Sequence, residues 1–446
     1  MVKFNMPVRL GFYNHSEKSK GDPLHMLSRR TFIASSGALF LLGACGQQQE
    51  NPSVGTDGKK VVFWTMQLKP TFDDYMAGLL KDFSKQNPEI AVEWVDVPWA
   101  DMENKILTSV SAGTAPDVVN LNPQFATKLA QKNALVDMGK TLSQEQQALY
   151  FPNIWKSNQL GEAVFGLPWY VGTNITVYNR KLFEKAGIKQ APKTYQELAS
   201  ASEQLKAKTG KYAFLLTMDG GQVLESMVQM GMPLLGPDGK AAFNTPEGKA
   251  AFDYWVNLFK KQVIPREILT EGHRKAVELY QAGELAMLLT GPEFMQAIKL
   301  NAPDIAKISD VSTQIVGPNG RMSASAMNVV VPSSSKSLDS AVKFALFLTN
   351  ATNQLSFSKV ANQLPSAVQA AKDPYFTAKS PSSDAEVKAR VISASQLAQS
   401  EVLVPPVKNV DKLQKFIYDE LQQAMLGEKT TDKAMASAAE QWNALG

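Results

Sequence analysis

The stretch "GLPWYVGTNITVYNRKLFEKAG" spans residues 166–187. Within it, residues 175–178 are predicted as a strand, and a helix follows Asn179. It opens a second α/β set and stands directly behind a first. In that first set, residues 61–64 read as a short buried strand. Phe72, Tyr75, Met76, Leu79, Leu80 and Phe83 then recur at three- and four-residue spacing along one helix face. Asn87-Pro88 stops that helix, because proline lacks the amide hydrogen and clashes with the preceding turn. A strand over 90–97, a helix over 102–110 ended by Gly113, and a strand over 116–120 complete the set. Strands and helices in this alternation imply a parallel, helix-flanked sheet. Ligands of such sheets sit beyond the carboxyl ends of the strands, here residues 64–67, 97–99 and 121–124.

Beyond the quoted stretch, Thr194 with Glu197 three residues later is a capping-box signature that starts another helix. Residues 211–216 are predicted as a strand, and 248–264 and 275–294 as largely helical. "MNVVVPSSS" (327–335) reads as a strand with a loop, and residues 340–361 as a pair of helices. The chain from Lys60 onward, about 385 residues, is long enough for two domains. No short repeat is visible, and no later apolar run is long and uncharged enough to span a membrane.

The chain's single cysteine, Cys45, ends an apolar run of 14 residues, 31–44, that follows Arg29-Arg30. That run is too short for a membrane span, which needs about 20 residues, but it suits the core of a signal peptide. Leu42-Gly43-Ala44-Cys45 looks like a lipobox, in which a peptidase cuts before a cysteine that carries diacylglycerol. Ser28-Arg29-Arg30-Thr31-Phe32-Ile33 resembles a twin-arginine export signal, and Sec signals with two basic residues match it equally. Residues 1–44 are therefore expected to be a signal peptide, of which 1–25 are an over-extended start before Met26. Residues 45–59 are expected to be a lipidated, flexible tether. Removing 1–44 takes away six of 46 basic and two of 42 acidic residues and leaves forty of each. No global charge then argues for nucleic acid as a partner. His273 becomes the only mature histidine, so neither a Cys/His zinc site nor a disulfide framework is expected.

"FW" (63–64), "AGTAPDVV" (112–119), the quoted stretch, "PKTYQEL" (192–198), "YQAGELAMLLTGPEF" (280–294), "VKFALFLT" (342–349) and "NQLPS" (362–366) follow one another in an order that resembles the extracellular solute-binding proteins of ABC importers. Within them the chain is most similar to the group that binds maltodextrins, other sugars and glycerol phosphodiesters. The resemblance covers nearly all of residues 60–445. It implies a two-lobed α/β fold of the periplasmic-binding-protein type II class, in which the chain crosses between lobes three times. Carried over, the crossings fall near 168–173, 323–328 and 362–365, so lobe one is 60–168 plus 326–362 and lobe two is 173–322 plus 366–446. It implies a carbohydrate or polyol ligand, a membrane permease as partner, a monomer and no cofactor. With the lipobox, it places the protein on the periplasmic or extracellular face of the cell membrane. Two departures bear on the ligand: Phe294 stands where the family often has tryptophan, and Ser323-Ala324-Ser325 where it often has a glycine pair.

Tryptophan usually serves packing, and Trp94, Trp155, Trp255 and Trp442 are assigned to it. Trp64, Trp99 and Trp169 lie at predicted strand ends or at a crossing and are expected to stack on the apolar face of a sugar. Around them Gln67, Asn122, Gln124, Tyr170, Asp219 and Gln222 offer donors and acceptors to hydroxyls. Each alone is an ordinary loop residue; only convergence in one cleft gives them meaning. Asp117, between Pro116 and a buried strand, is expected to be a structural cap. The resemblance adds Gly291, where backbone could approach a ligand closely, and Phe294. Arg321 is read equally as an anion ligand or a solvated charge.

The competing classes are a secreted glycoside hydrolase or lyase, which needs two carboxylates across a scissile bond, and a scaffold lipoprotein without a closing cleft. No G-x-S-x-G, H-E-x-x-H, P-loop or EF-hand pattern is present.

Overall fold

Phe63 and Trp64 point to opposite faces of one strand, and that alternation organises the larger of two sheets. The computed structural model describes residues 59–218, 221–377 and 384–445. Cys45, the signal and tether readings, and Asp219 lie outside the described residues. In chain order the strands are β1 (Lys59–Met66), β2 (Ile90–Val97), β3 (Val118–Leu121), the short hairpin β4 (Gln159–Leu160) and β5 (Ala163–Val164), β6 (Leu167–Thr173), β7 (Ile175–Asn179), β8 (Met287–Thr290), β9 (Ser309–Thr313), β10 (Met322–Val330), β11 (Leu364–Pro365) and β12 (Ser400–Glu401).

The larger sheet runs in the order β11-β6-β10-β3-β1-β2, with β12 added to β10. As the alternation of strand and helix predicts, β1 pairs parallel with both β2 and β3. The remaining pairs along that path are antiparallel, because β10 returns from far along the chain. Side-chain period two sends Phe63, Val118 and Val329 into one core, and Met66, Val119 and Val330 into another. The first core is closed by the helices Asp73–Gln86, Leu338–Leu348 and Ala351–Ala361, where the Phe344 ring meets Phe63 and Phe83 edge-on at 5.2 and 5.0 Å. The second is closed by Trp99–Ser111 and Pro123–Ala130.

The smaller sheet, β8-β7-β9, is antiparallel and carries its own core. Asn179 caps the helix Arg180–Ala186 by accepting from the amides of Lys181 and Leu182. Thr194 caps Tyr195–Thr209 as predicted, while the Glu197 carboxylate takes the Lys193 amide instead of that of Thr194. The strand predicted over 211–216 is not one. Its last four residues are buried and it runs beside residues 284–287, yet it forms only an isolated parallel bridge at Tyr212. Its neighbours there bond it three times and no strand continues on its other side.

The three segments expected to be crossings lie side by side. β6 pairs with β10 from Thr173↔Ala324 to Leu167↔Val329, and β11 joins the other edge of β6 at Val171 and Tyr170. Gly166, which starts the quoted stretch, lies against β10, and a Cβ there would come within 2.8 Å of Val330 Cγ1. Among the described residues no helix is long and apolar enough to cross a membrane.

Candidate functional site

At the carboxyl end of β3, Asn122 caps the helix Pro123–Ala130 by accepting from the Phe125 amide at 2.8 Å. Across from it, the helix Gln222–Gln229 begins at Gly221, with no side chain capping it. Between these two helix starts is a cleft of about 270 Å³, floored by Ala324 and Ser325 of β10. Asn122 and Gln124 form one wall, and Gly221 and Glu225 the other. The segment after β12, from Val402 into the helix Val410–Leu426, closes the side. That segment ties back to the first wall, since Gln131 Nε2 donates to the Val407 carbonyl at 3.0 Å.

Glu225 also lines a neighbouring cavity with Gln222, Asn174, Tyr195, Gln229 and Gln314. Its carboxylate accepts from Ser323 Oγ on β10 at 2.7 Å. Burial raises its pKa above the usual carboxylate range, and the Ser323 bond offsets part of that rise. Beneath it runs a chain of amides. Tyr195 Oη donates to Gln229 Oε1, Gln229 Nε2 donates to Gln314 Oε1, and Gln314 Oε1 accepts from the Ser323 amide. Gln222 Oε1 is buried without a partner, which leaves an acceptor that a ligand hydroxyl would satisfy.

The turn after β8 is a second polar feature. The Glu293 side chain folds back over Gly291, where a Cβ would sit 2.2 Å from Glu293 Oε2. Gly291 therefore makes room for this carboxyl, a correction to the expectation that it admits a ligand. Glu293 Oε2 is buried and unpartnered, and burial pushes its pKa up to about 7 against a partial pull from a backbone hydrogen bond. Phe294 packs edge-on against His273 at 5.1 Å, and His273 Nε2 meets Thr290 Oγ1 at 3.1 Å. Asn362 Nδ2 donates to the Pro292 carbonyl at 3.4 Å and links this turn to the end of the helix Ala351–Ala361.

The aromatic floor predicted from the sequence does not form. Trp169 is fully buried in the larger-sheet core, stacked on Phe357 at 4.7 Å. It packs there because Leu167, Trp169 and Val171 share one parity of β6 and are all buried. Trp64 is half-buried against the helix Trp99–Ser111, with Lys105 Nζ 4.8 Å from its ring centre. Trp99 is 45% exposed at the first turn of that helix, and its amide donates to Gln67 Oε1 at 3.3 Å. This pair stands beside the edge strand β2, two strands from β3 in the sheet. Neither Trp64, Trp99 nor Gln67 lines the cleft. Tyr170 is half-buried against Phe357, and burial raises its phenol pKa. Of the sequence-predicted residues, the cleft gathers Asn122 and Gln124, and Gln222 lines the cavity beside it. Glu225 and Glu293 were not singled out from the sequence, although Glu225 lies one helical turn from Gln222; Ser323 was noted there only as part of the departure from the family's glycine pair. Asp117 accepts from the Val62 amide and Ser335 Oγ, and Arg321 pairs with Glu401 at 2.7 Å. Among the described residues no group of three or more His, Cys, Asp or Glu side chains is placed to hold a metal ion.

The family profile of bacterial extracellular solute-binding proteins matches residues 69–355. The chain belongs to that family. A putative oligosaccharide periplasmic-binding protein from Synechococcus superimposes with a TM-score of 0.80 at 39% identity, covering 86% of this chain and 98% of that one. A sugar-binding protein from Xanthomonas citri gives 0.74 at 25% identity, covering 86% and 96%. The galactooligosaccharide-binding protein of Bacillus subtilis is 24% identical over 354 residues, 77% of this chain and 81% of its own. The fold of this solute-binding protein is the two-lobed α/β type II architecture of these neighbours. Family and fold are those of exported binding proteins that serve ABC permeases, not of enzymes.

Proposed function

We propose that this solute-binding protein captures a sugar, oligosaccharide or polyol derivative in the cleft between Asn122–Gln124 and Gly221–Glu225 and delivers it unchanged to an ABC permease. The observation that carries the reading is that cleft, about 270 Å³ in volume and lined from both sides of paired strands β6 and β10. The sugars named for its relatives support the ligand class. The lobes are 60–168 plus 326–362 and 173–322 plus 366–446, with β6, β10 and β11 as the hinge; ligand contacts with both lobes favour closure. Cys45, acylated after removal of the signal, holds the protein to the membrane through residues 45–59, since two acyl chains anchor stably where one binds only marginally. The protein acts as a monomer.

A thermal-shift screen of the mature chain against neutral mono- and oligosaccharides tests this. A ligand at 100 times its dissociation constant adds about 2.7 kcal/mol to stability, and recovery of the sugar unaltered separates a receptor from a hydrolase. Turnover of the ligand, or no stabilisation by any sugar, would sink the reading. Cys45→Ala tests the anchor separately: the protein should leave the membrane fraction, and an unmodified Cys45 in the native protein would rule lipidation out.

A further inference from the structure

The cleft brings together two features with opposite electrostatic preferences. Helix starts present unpaired amide hydrogens and a positive dipole end, and so attract anions. Two helices start at this cleft. At the first, Asn122 already caps the Phe125 amide, and Pro123 has no amide hydrogen to give. At the second, Gly221 has no capping side chain, but the Glu225 carboxylate bends back over it. A Cβ on Gly221 would sit 3.2 Å from Glu225 Oε1. The place an anion would take is filled by the protein's own carboxylate, and Ser323 Oγ holds it there at 2.7 Å.

No cation offsets it. The charged side chains lining the cleft are Glu225 and Asp411, with no lysine or arginine among the described residues. Lys128 comes within 4.0 Å of Asp411, yet it is already engaged by Glu103. Arg321 lies in a different cavity and pairs with Glu401. The buried atom left without a partner beside the cleft, Gln222 Oε1, is an acceptor. Acceptors and acids call for a ligand that donates hydrogen bonds.

We infer that Glu225 sets the ligand class of this cleft: it admits uncharged, hydroxyl-rich ligands and excludes their phosphate and carboxylate forms. The inference rests on the receptor reading above and adds a residue that selects against anions. Selectivity here is repulsive, from a like charge met at short range. Glu225→Gln keeps an acceptor for Ser323 and removes the charge, so the helix start becomes available to an anion.

The test is a set of matched pairs, glucose and glucose 6-phosphate, trehalose and trehalose 6-phosphate, sucrose and sucrose 6-phosphate, titrated calorimetrically into the mature wild-type chain and into Glu225→Gln. In wild type the neutral member of a pair that binds should bind at least about ten-fold more tightly than its ester, given like-charge repulsion. In Glu225→Gln that ratio should fall because the ester gains affinity, an outcome that a misfolded variant cannot produce. An ester that binds wild type as tightly as its parent sugar overturns the inference and leaves the receptor reading standing. An unchanged ratio in Glu225→Gln also overturns it, since another group would then reject the phosphate. If neither member of any pair binds wild type, the receptor reading fails and this inference falls with it.

Discussion

The carboxylates that staple the larger sheet differ from the two that stand beside the cleft and in the turn after β8. Around the larger sheet, Asp96 accepts from Thr65 Oγ1 and from the amides of Leu68 and Lys69. Asp117 accepts from the Val62 amide and Ser335 Oγ. Both bind chain segments together and are furnished with donors from the protein itself. On the smaller-sheet side Glu420 is likewise furnished, by Lys429, Ser437 and Gln441, whereas Glu225 has one hydroxyl from Ser323 and Glu293 Oε2 has no partner. A buried acceptor without a donor costs about 1–3 kcal/mol, so a fold keeps one where something else supplies the donor. The contrast separates the acids that staple the fold from those that the fold leaves short of donors.

The largest effect that can break this division is at Trp169. It lies in the larger-sheet core, and its truncation should destabilise the protein by about 3–5 kcal/mol, the usual range for a buried aromatic. The folded fraction of Trp169→Ala should bind its sugar with unchanged affinity, measured by calorimetry well below the melting temperature. A variant that melts normally but binds weakly would return Trp169 to the cleft and undo the assignment. Asp117→Ala comes next. Two hydrogen bonds to a charged acceptor disappear and leave the Val62 amide in search of a donor's partner, a loss of about 2–3 kcal/mol. Ligand affinity should again hold; a selective loss of binding would show that stapling acids also shape the cleft.

How much of this was legible in the sequence depends on the range of the interaction. Helix faces such as Phe72–Phe83 and the Thr194 cap rest on contacts within a few residues, and they were readable. The order of loose motifs carried the two-lobed fold. Trp169 was readable too, because Leu167, Trp169 and Val171 repeat at the strand period, but its position at a crossing was given more weight than its parity. Segment 211–216 has the composition of a strand, and composition does not reveal that it lacks a partner on one side. Glu225 was not legible, since Ser323 lies 98 residues away and only the assembled fold brings β10 to it. At Gly291 the sequence suggests backbone approaching a ligand, whereas the group that lies over it is the side chain of Glu293, two residues on.

Glu293 gives the smallest effect and the sharpest test of the contrast. Its carboxyl has a folded-state pKa of about 7, above the ordinary 4.5, because burial disfavours the ionised form. Between these two values the folded chain holds a proton that the unfolded chain has released. Stability therefore declines as pH rises from 4.5 to about 7, and the full penalty is present above that window. Glu293→Gln has no such proton. Its melting temperature relative to wild type should change little near pH 4.5 and rise by the equivalent of about 1–2 kcal/mol at pH 8, at 1.36 kcal/mol per pKa unit less the screening of a half-buried group. Other titrating groups are common to both proteins and cancel in the difference. A difference that stays flat with pH would mean the carboxyl is solvated and ionised throughout, and Glu293 would join the furnished acids. If a sugar hydroxyl reaches Oε2, saturating ligand stabilises the ionised form, and the pH-dependent gap between the two proteins should narrow. A gap that ligand leaves untouched would keep Glu293 a strained acid but remove it from the binding site, leaving Glu225 as the acid that meets the ligand.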